Sequence, residues 1–231
     1  MSRYLEMLSL FGVAGAHPGG LAFSKAVLQK AAPSLNQPIL DAGCGTGQTA
    51  AYLGHLLYPV TVVDKDPIML EKAKKRFANE GLAIPAYQAE LEHLPFSSES
   101  CVLSESVLSF SHLTSSLQEM SRVLKPGGML IGIEAALKKP MSPAEKEQMM
   151  DFYGFTCLLE ETEWHKTLKS YGFQSTKAIT LLPDDMEFEP TTEMDLSQTI
   201  APIYYDTLQT HYELMQIYSE YMGHCIFIAY K

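Results

Sequence analysis

The sequence predicts an α/β fold built on a mostly parallel sheet, and three observations carry that expectation. Short apolar or β-branched runs alternate with helix-length segments from residue 38 to residue 133, the pattern of successive βαβ units. The first such run ends in the closely spaced glycines Gly43, Gly45 and Gly47, just ahead of a helical segment. A chain of 231 residues with 46% hydrophobic content is long enough to bury a sizeable core around one sheet.

In order along the chain, residues 38–41 form a short apolar strand that runs into the glycine turn, and residues 49–57 read as a helix. Residues 60–63 are a β-branched, buried strand ending at Asp64. A helix is predicted over 67–79, with Pro67 in its first turn, an apolar stripe at Ile68, Leu70, Ala73 and Phe77, and Gly81 just beyond its end. Residues 84–89 form a third strand shortened by Pro85, and residues 101–104 a fourth. A helix over 114–124 stops at Lys125-Pro126-Gly127-Gly128 and is followed by a fifth strand over 129–133.

The second half changes character. Ser142 and Glu145 flank Pro143 as a capping box, so a helix starts there. It carries Met149, Met150, Phe152, Tyr153 and Phe155, residues suited to lining an apolar pocket, with a break near Gly154. A helix over 161–171 ends at Gly172 and feeds a strand over 173–182. Residues 183–195 are acidic and lack Lys and Arg, as expected of a solvated loop. A helix over 202–221 and an apolar strand over 224–230 close the chain. Two stripes at helical spacing, Tyr205/Leu208/Tyr212/Met215 and Leu214/Tyr218/Tyr221, are expected to pack in the core. No repeat, low-complexity tract or linker marks off a second domain.

Composition narrows the function. Seventeen basic against 27 acidic residues give a net charge of −10, which disfavours a nucleic-acid partner. The densest basic cluster, Lys72, Lys74, Lys75 and Arg76, falls on one predicted helix and reads as a solvated face. Cys44, Cys101, Cys157 and Cys225 are spaced without any CxxC pair, which argues against a zinc site or a disulfide framework and fits a reducing cytoplasm. No signal peptide and no run of roughly 18 apolar residues is seen, so no membrane span is expected. No cluster with metal-ligand spacing appears, and no metal is expected.

The glycine turn carries the chemistry. Closely spaced glycines let the backbone approach a ligand where a Cβ would collide, and the following helix start offers free N–H groups and a partial positive charge. Asp64, at the end of the next strand, is placed to accept hydrogen bonds from a ribose diol. These features together describe a nucleoside-containing cofactor lying across the carboxyl ends of the first two strands. A dinucleotide loop needs G-x-G-x-x-G; here the spacing is Gly43-x-Gly45-x-Gly47, and Gln48 stands where the third dinucleotide glycine would fall.

Leu40-Asp41-Ala42-Gly43-Cys44-Gly45-Thr46-Gly47 resembles the first cofactor motif of the class I S-adenosylmethionine-dependent methyltransferases. The likeness is greatest to the ubiquinone-biosynthesis, or methyltransferase type 11, branch. Val62-Val63-Asp64-Lys65-Asp66-Pro67-Ile68-Met69-Leu70 resembles the second motif, whose acid holds the ribose hydroxyls. Glu90-Leu91-Glu92-His93-Leu94-Pro95-Phe96 resembles the third, where an acid reaches the adenine amino group, and residues 119–128 are similar to the helix and turn before the fifth strand. The chain departs from the pattern where Glu90 replaces a common Asp. It departs again where residues 97–100 are shorter than usual and Ser100 takes the place of an acid opening the fourth strand.

The resemblance implies a Rossmann-like three-layer sandwich, a seven-stranded, mostly parallel sheet with an antiparallel last strand, and helical insertions forming a lid. It also implies S-adenosylmethionine as methyl donor and S-adenosylhomocysteine as product. On this reading the chain is one domain over 1–231: an N-terminal helical cap (1–37), a cofactor-binding core (38–134), and acceptor-side insertions with closing strands (135–231). The expected cofactor-binding residues are Asp41, Gly43, Cys44, Gly45, Gly47, Asp64, Lys65, Glu90 and Leu91. Glu105 and Ser106 join them because they follow the fourth strand at the sheet's carboxyl edge.

Methyl transfer is an in-line displacement in which the enzyme chiefly positions the reactants and excludes water. A base is required only if the acceptor has a proton to lose. The candidates are His17 in the His17-Pro18-Gly19-Gly20 turn, Glu105 and His112. The expected acceptor is a small molecule; a homodimer is left open. The alternatives are a nicotinamide-dependent oxidoreductase and a non-catalytic S-adenosylmethionine-binding sensor.

Overall fold

The computed structural model describes residues 1–185 and 192–231. Two helices, α1 (Arg3–Phe11) and α2 (Gly20–Ala31), precede β1 (Ile39–Ala42). Then come α3 (Gln48–His55), β2 (Val60–Asp64), α4 (Pro67–Asn79), β3 (Ala86–Gln88) and β4 (Glu99–Glu105). After these follow α5 (Leu113–Val123), β5 (Leu124–Leu137), α6 (Pro143–Tyr153), β6 (Leu159–Glu160) and α7 (Glu161–Ser170). The chain closes with β7 (Ser175–Ala178), α8 (Pro202–Ile217) and β8 (Met222–Tyr230).

The strands form one sheet in the order β3-β2-β1-β4-β5-β8-β7, with the two-residue β6 paired to β5. β1 to β5 pair in parallel, and β8 alone runs antiparallel, between β5 and β7. The expected mostly parallel sheet with a reversed last strand is therefore found, with β6 as an eighth strand. Successive strand residues face opposite sides. Leu40, Val63 and Val102 thus join Leu117, Met120, Trp164 and Phe227 on one face. Ile39, Val62 and Leu103 join Leu53, Leu70, Phe77 and Ile131 on the other. A third cluster unites α1, α6 and α8 through Tyr4, Met7, Phe11, Met149, Tyr153, Leu214 and Tyr218. The sheet order reverses direction between β1 and β4, which opens a crevice at their carboxyl ends.

Capping explains the most accurately predicted helices. Asp66 accepts from the N–H groups of Ile68 and Met69 ahead of Pro67, and α4 has the predicted bounds. The Ser142–Glu145 capping box is present at α6. On α4 Leu70, Ala73 and Phe77 face the sheet and Met69 packs towards α1, while Ile68 is exposed.

Other expectations are corrected. α1 lies within the expected N-terminal helical cap, for which the sequence sets no helix bounds; Ser2 caps its start and Gly12, in the left-handed region, its end. Residues 125–128 do not separate α5 from a strand: Glu99 pairs with Leu124 and Cys101 with Met129, so they bulge from within β5. The strand over 173–182 contracts to β7, and the helix over 202–221 ends at Ile217. Of the two stripes on α8, Leu214 and Tyr218 are buried, whereas Tyr205, Tyr212 and Met215 are exposed, because only one side of this helix meets α1 and α6.

The acidic loop divides. Residues 186–191 lie outside the described residues, but residues 193–197 are not a free solvated loop. Ala14 N–H donates to the Glu193 carbonyl (2.9 Å), and Asp195 N–H to that of Gly12 (3.1 Å). The basic cluster answers them: Arg76 pairs with Glu193 at 2.7 Å and Lys75 with Asp195 at 3.0 Å. Lys72 donates to the carbonyls of Leu10 and Asp195. This cluster is thus a clamp for residues 193–195 as well as a helix surface. Among the described residues no helix is long and apolar enough to cross a membrane.

Candidate active site

The glycine turn is fixed to β2 before any ligand is considered. The N–H groups of Gly43 and Cys44 both donate to the Val63 carbonyl at 2.9 Å. Gly45 N–H donates to Asp64 Oδ2 at 2.8 Å, and Asp66 N–H to Asp64 Oδ1 at 2.9 Å. Both carboxylate oxygens are thereby oriented, each with lone-pair capacity left for a hydroxyl donor. Burial raises the pKa of Asp64, against the lowering effect of these two backbone donors. Gly45 and Gly47 both have positive φ, for different reasons. A Cβ at Gly47 would strike the Phe77 ring at 2.6 Å, whereas one at Gly45 would meet nothing within 4 Å. Gly47 serves packing; Gly45 borders open space.

That space is a cleft between protein atoms, partly open to solvent. Gly43, Cys44, Gly45, Asp64, Lys65, Leu91, Glu105, Ser106 and His17 all line it. Asp41 and Gly47 stand behind the wall. Asp41 is fully buried, and its pKa is pushed well up by burial and then by the charges of Glu105 and Asp64.

Two expected residues lie elsewhere. Glu90 is exposed outside the cavity, and its neighbour Glu92 takes the wall position. His112 caps α5, its Nδ1 accepting from Ser115 N–H, with the ring at the surface. The Met and aromatic residues of α6 also miss the wall. Met149 and Tyr153 pack inward against Tyr4 and its neighbours, and the apolar lining comes instead from Met1, Leu5 and Leu8, together with Val13, Met69 and Phe110.

Glu105 is the centre of a buried polar group. Thr49 Oγ1 donates to its Oε2 at 2.7 Å, His17 Nε2 stands 3.6 Å from the same oxygen, and Ser24 Oγ meets His17 Nε2 at 3.2 Å. Glu105 Oε1 and Thr46 Oγ1 are buried with no hydrogen-bond partner, and both residues line the cavity. Such orphaned oxygens beside an open cradle fit a polar ligand that supplies the missing partners.

Sequence reasoning missed Glu134. This fully buried residue of β5 accepts from the N–H groups of Val107, Leu108 and Ser109 and from the hydroxyls of Ser104 and Ser109, at 3.0–3.3 Å. It thereby shapes the turn that brings Val107 and Phe110 to the cavity, and burial pushes its pKa up to about 7. The signal was available: a lone acid inside an otherwise apolar strand.

The parallel sheet, the switch-point crevice and the glycine turn locked to a strand-end acid define the class I methyltransferase architecture. The sequence pattern of the methyltransferase domain family matches residues 40–132. The chain is 91% identical, over the whole of both proteins, to the Bacillus subtilis protein named "Uncharacterized methyltransferase YodH". It is 32% identical to the Bordetella parapertussis "Ubiquinone/menaquinone biosynthesis C-methyltransferase UbiE", over 68% of this chain and 60% of that one. A solved Haemonchus contortus phosphoethanolamine N-methyltransferase 2, in complex with S-adenosylmethionine, shares the fold with a TM-score of 0.74 at 19% identity, over 99% of this chain and 56% of that one. This chain belongs to the methyltransferase family, as the motifs implied, and the nicotinamide alternative gains no support.

Proposed function

We propose that this methyltransferase carries the methyl group of S-adenosylmethionine to a small-molecule acceptor in the cytoplasm. The observation that carries the reading is the open cradle at Gly45 beside an Asp64 carboxylate already oriented by two backbone donors. When bound there, S-adenosylmethionine supplies a methyl on a positively charged sulfur; the acceptor's lone pair bonds to that carbon as the C–S bond breaks, leaving S-adenosylhomocysteine.

The chain's own residues then have distinct tasks. Asp64 takes the ribose hydroxyls, with Lys65 beside it, while Leu91 and Ala89 form an apolar face for the adenine. Gly43, Cys44 and Gly45 hold the amino-acid end, and the carboxylates of Asp64 and Glu105, which line the cavity, favour a cationic donor over its neutral-sulfur product. Ser106 holds the turn after β4, its N–H donating to the Ile133 carbonyl at 2.7 Å. Glu105 meets the acceptor and accepts its proton where one is lost, with His17 and Thr49 holding the other carboxylate oxygen. Residues 1–37 and 135–231 build the acceptor side around the core over 38–134 and exclude water. The four free cysteines agree with a reducing compartment.

Calorimetry tests the donor site directly. Asp64→Ala is expected to weaken S-adenosylhomocysteine binding about 100-fold, since hydrogen bonds to a charged group contribute about 1.5–3 kcal/mol each. An unchanged affinity sinks the ribose assignment. Turnover separates enzyme from sensor: donor binding without S-adenosylhomocysteine release across an acceptor panel favours the sensor.

A further inference from the structure

The wall of the cavity divides by chemistry. Its polar groups come from the glycine turn with Asp64, Lys65 and Asp66. Its apolar surface comes from Leu5, Leu8, Val13, Met69, Val107 and Phe110. α1 sends Tyr4, Met7 and Phe11 into the packed cluster with α6 and α8, yet Leu5 and Leu8 border the cavity. Leu8 is itself a buried member of that cluster and Leu5 packs against it, so α1 joins the packed core to the cavity lining. α1 is held in that pose by Ser2 Oγ donating to the Tyr153 carbonyl at 2.7 Å and by Tyr204 OH donating to Glu6 Oε2 at 3.1 Å.

Charge points the same way. Among the described residues lining the cavity, Asp64, Asp66, Glu92 and Glu105 are acids, and Lys65 is the one Lys or Arg. Lys65 directly follows β2 and so belongs to the donor side. An anion placed against Leu5, Leu8 and Phe110 would be desolvated with acids rather than cations nearby, which is strongly unfavourable. A neutral X–H group, by contrast, would supply the donor that Glu105 Oε1 lacks.

We infer that the acceptor is an apolar molecule bearing no phosphate or carboxylate, which presents a neutral hydroxyl, amine or acidic C–H group to Glu105. This rests on the donor-site reading above. In the transfer, the acceptor atom forms its bond to the methyl carbon, the C–S pair stays on sulfur, and the acceptor's proton passes to Glu105.

The test uses the full chain saturated with S-adenosylhomocysteine and the matched probes 4-butylphenol, 4-butylaniline and 4-butylbenzoate, followed by calorimetry. The two neutral probes are expected to bind at least tenfold more tightly than the benzoate. Leu5→Gln and, separately, Phe110→Ala are expected to weaken 4-butylphenol at least fivefold while S-adenosylhomocysteine affinity stays within twofold, which also shows that each variant is folded. The inference is overturned if the benzoate binds as well as the phenol, if no probe binds the saturated protein, or if both variants leave phenol binding unchanged. Failure of S-adenosylhomocysteine itself to bind the unmodified chain overturns the donor-site reading, and this inference with it; normal binding with unsorted probes overturns only the inference.

Discussion

The floor of the cavity is made by backbone and its roof by side chains. On the floor, Gly43, Cys44 and Gly45 come from one turn, locked by hydrogen bonds to Val63 and Asp64 across a single pair of strands. On the roof, Leu5, Leu8 and Val13 come from α1 and its end, Met69 from α4 and Phe110 from the turn after β4, three separate parts of the chain that no local spacing links to one another. A floor of this kind suits one invariant ligand, because backbone geometry varies little with side-chain replacement. A roof of this kind can change its ligand by a few substitutions without disturbing the sheet, which is how one fold serves many acceptors.

The largest effects separate two glycines of the floor. In Gly47→Ala the new Cβ sits 2.6 Å from the Phe77 ring and 3.0 Å from Ala73 Cβ at φ +75°. Overpacking and left-handed strain together are expected to cost about 3–4 kcal/mol, a loss visible in urea unfolding. Gly45→Ala, with φ +53° and open space, should cost only about 1–2 kcal/mol of stability, yet weaken S-adenosylhomocysteine more than tenfold. Equal behaviour of the two variants would erase the distinction between a packing glycine and a cradle glycine.

Glu134 tests the roof's foundation through pH. Its pKa rises from 4.5 to about 7 in the folded protein. Below pH 4.5 both states hold the proton and the group contributes no pH dependence. Between 4.5 and 7 the unfolded chain releases its proton first, so stability falls as pH rises; above 7 the loss is complete. At 1.36 kcal/mol per unit the total is about 3 kcal/mol. Glu134→Gln cannot ionise, so the stability difference between native chain and variant should shift against the native chain by that amount from pH 4.5 to 7. A pH-independent difference in urea unfolding would show that Glu134 is ionised throughout, as its five donors alone would favour.

Glu105→Gln is expected to act on the roof's ligand rather than the floor's. Methyl transfer to an acceptor that loses a proton should fall at least 100-fold, while S-adenosylhomocysteine affinity changes less than threefold. A tenfold loss of that affinity would move Glu105 to the donor's ammonium group instead.

The same division governs what the sequence made legible. The glycine turn, Asp64 and α4 could be read because each depends on neighbours a few residues away: a turn, a strand end, a cap at Asp66. β5 was harder, because the bulge at 125–128 depends on its register with β4 rather than on its own residues. Motif likeness points to Glu90, while which of Glu90 and Glu92 borders the cavity depends on how the loop after β3 lies. α8 shows the limit of periodicity. Its two apolar stripes look alike in sequence, and only the position of α1 and α6 decides that Leu214 is covered and Tyr212 is not. The roof was illegible for the reason that makes it adaptable.

The smallest effect concerns how floor and roof are joined. Arg76 Nε donates to the Thr46 carbonyl in the glycine turn at 3.0 Å, while its NH2 pairs with Glu193 at 2.7 Å. Glu193 in turn accepts through its carbonyl from Ala14, next to the cavity residue Val13. One guanidinium therefore ties the donor turn to the strand of chain that holds the roof down. The Glu193 side chain is exposed, and such pairs contribute about 0–1 kcal/mol. Glu193→Gln should accordingly raise the S-adenosylhomocysteine dissociation rate only about two- to threefold in stopped-flow measurements, and added salt should speed the native chain toward the variant's rate as the pair is screened. Arg76→Gln removes both contacts and should exceed that effect. If the two variants match, the Thr46 contact does nothing for the floor, and the roof alone sets how long the donor stays.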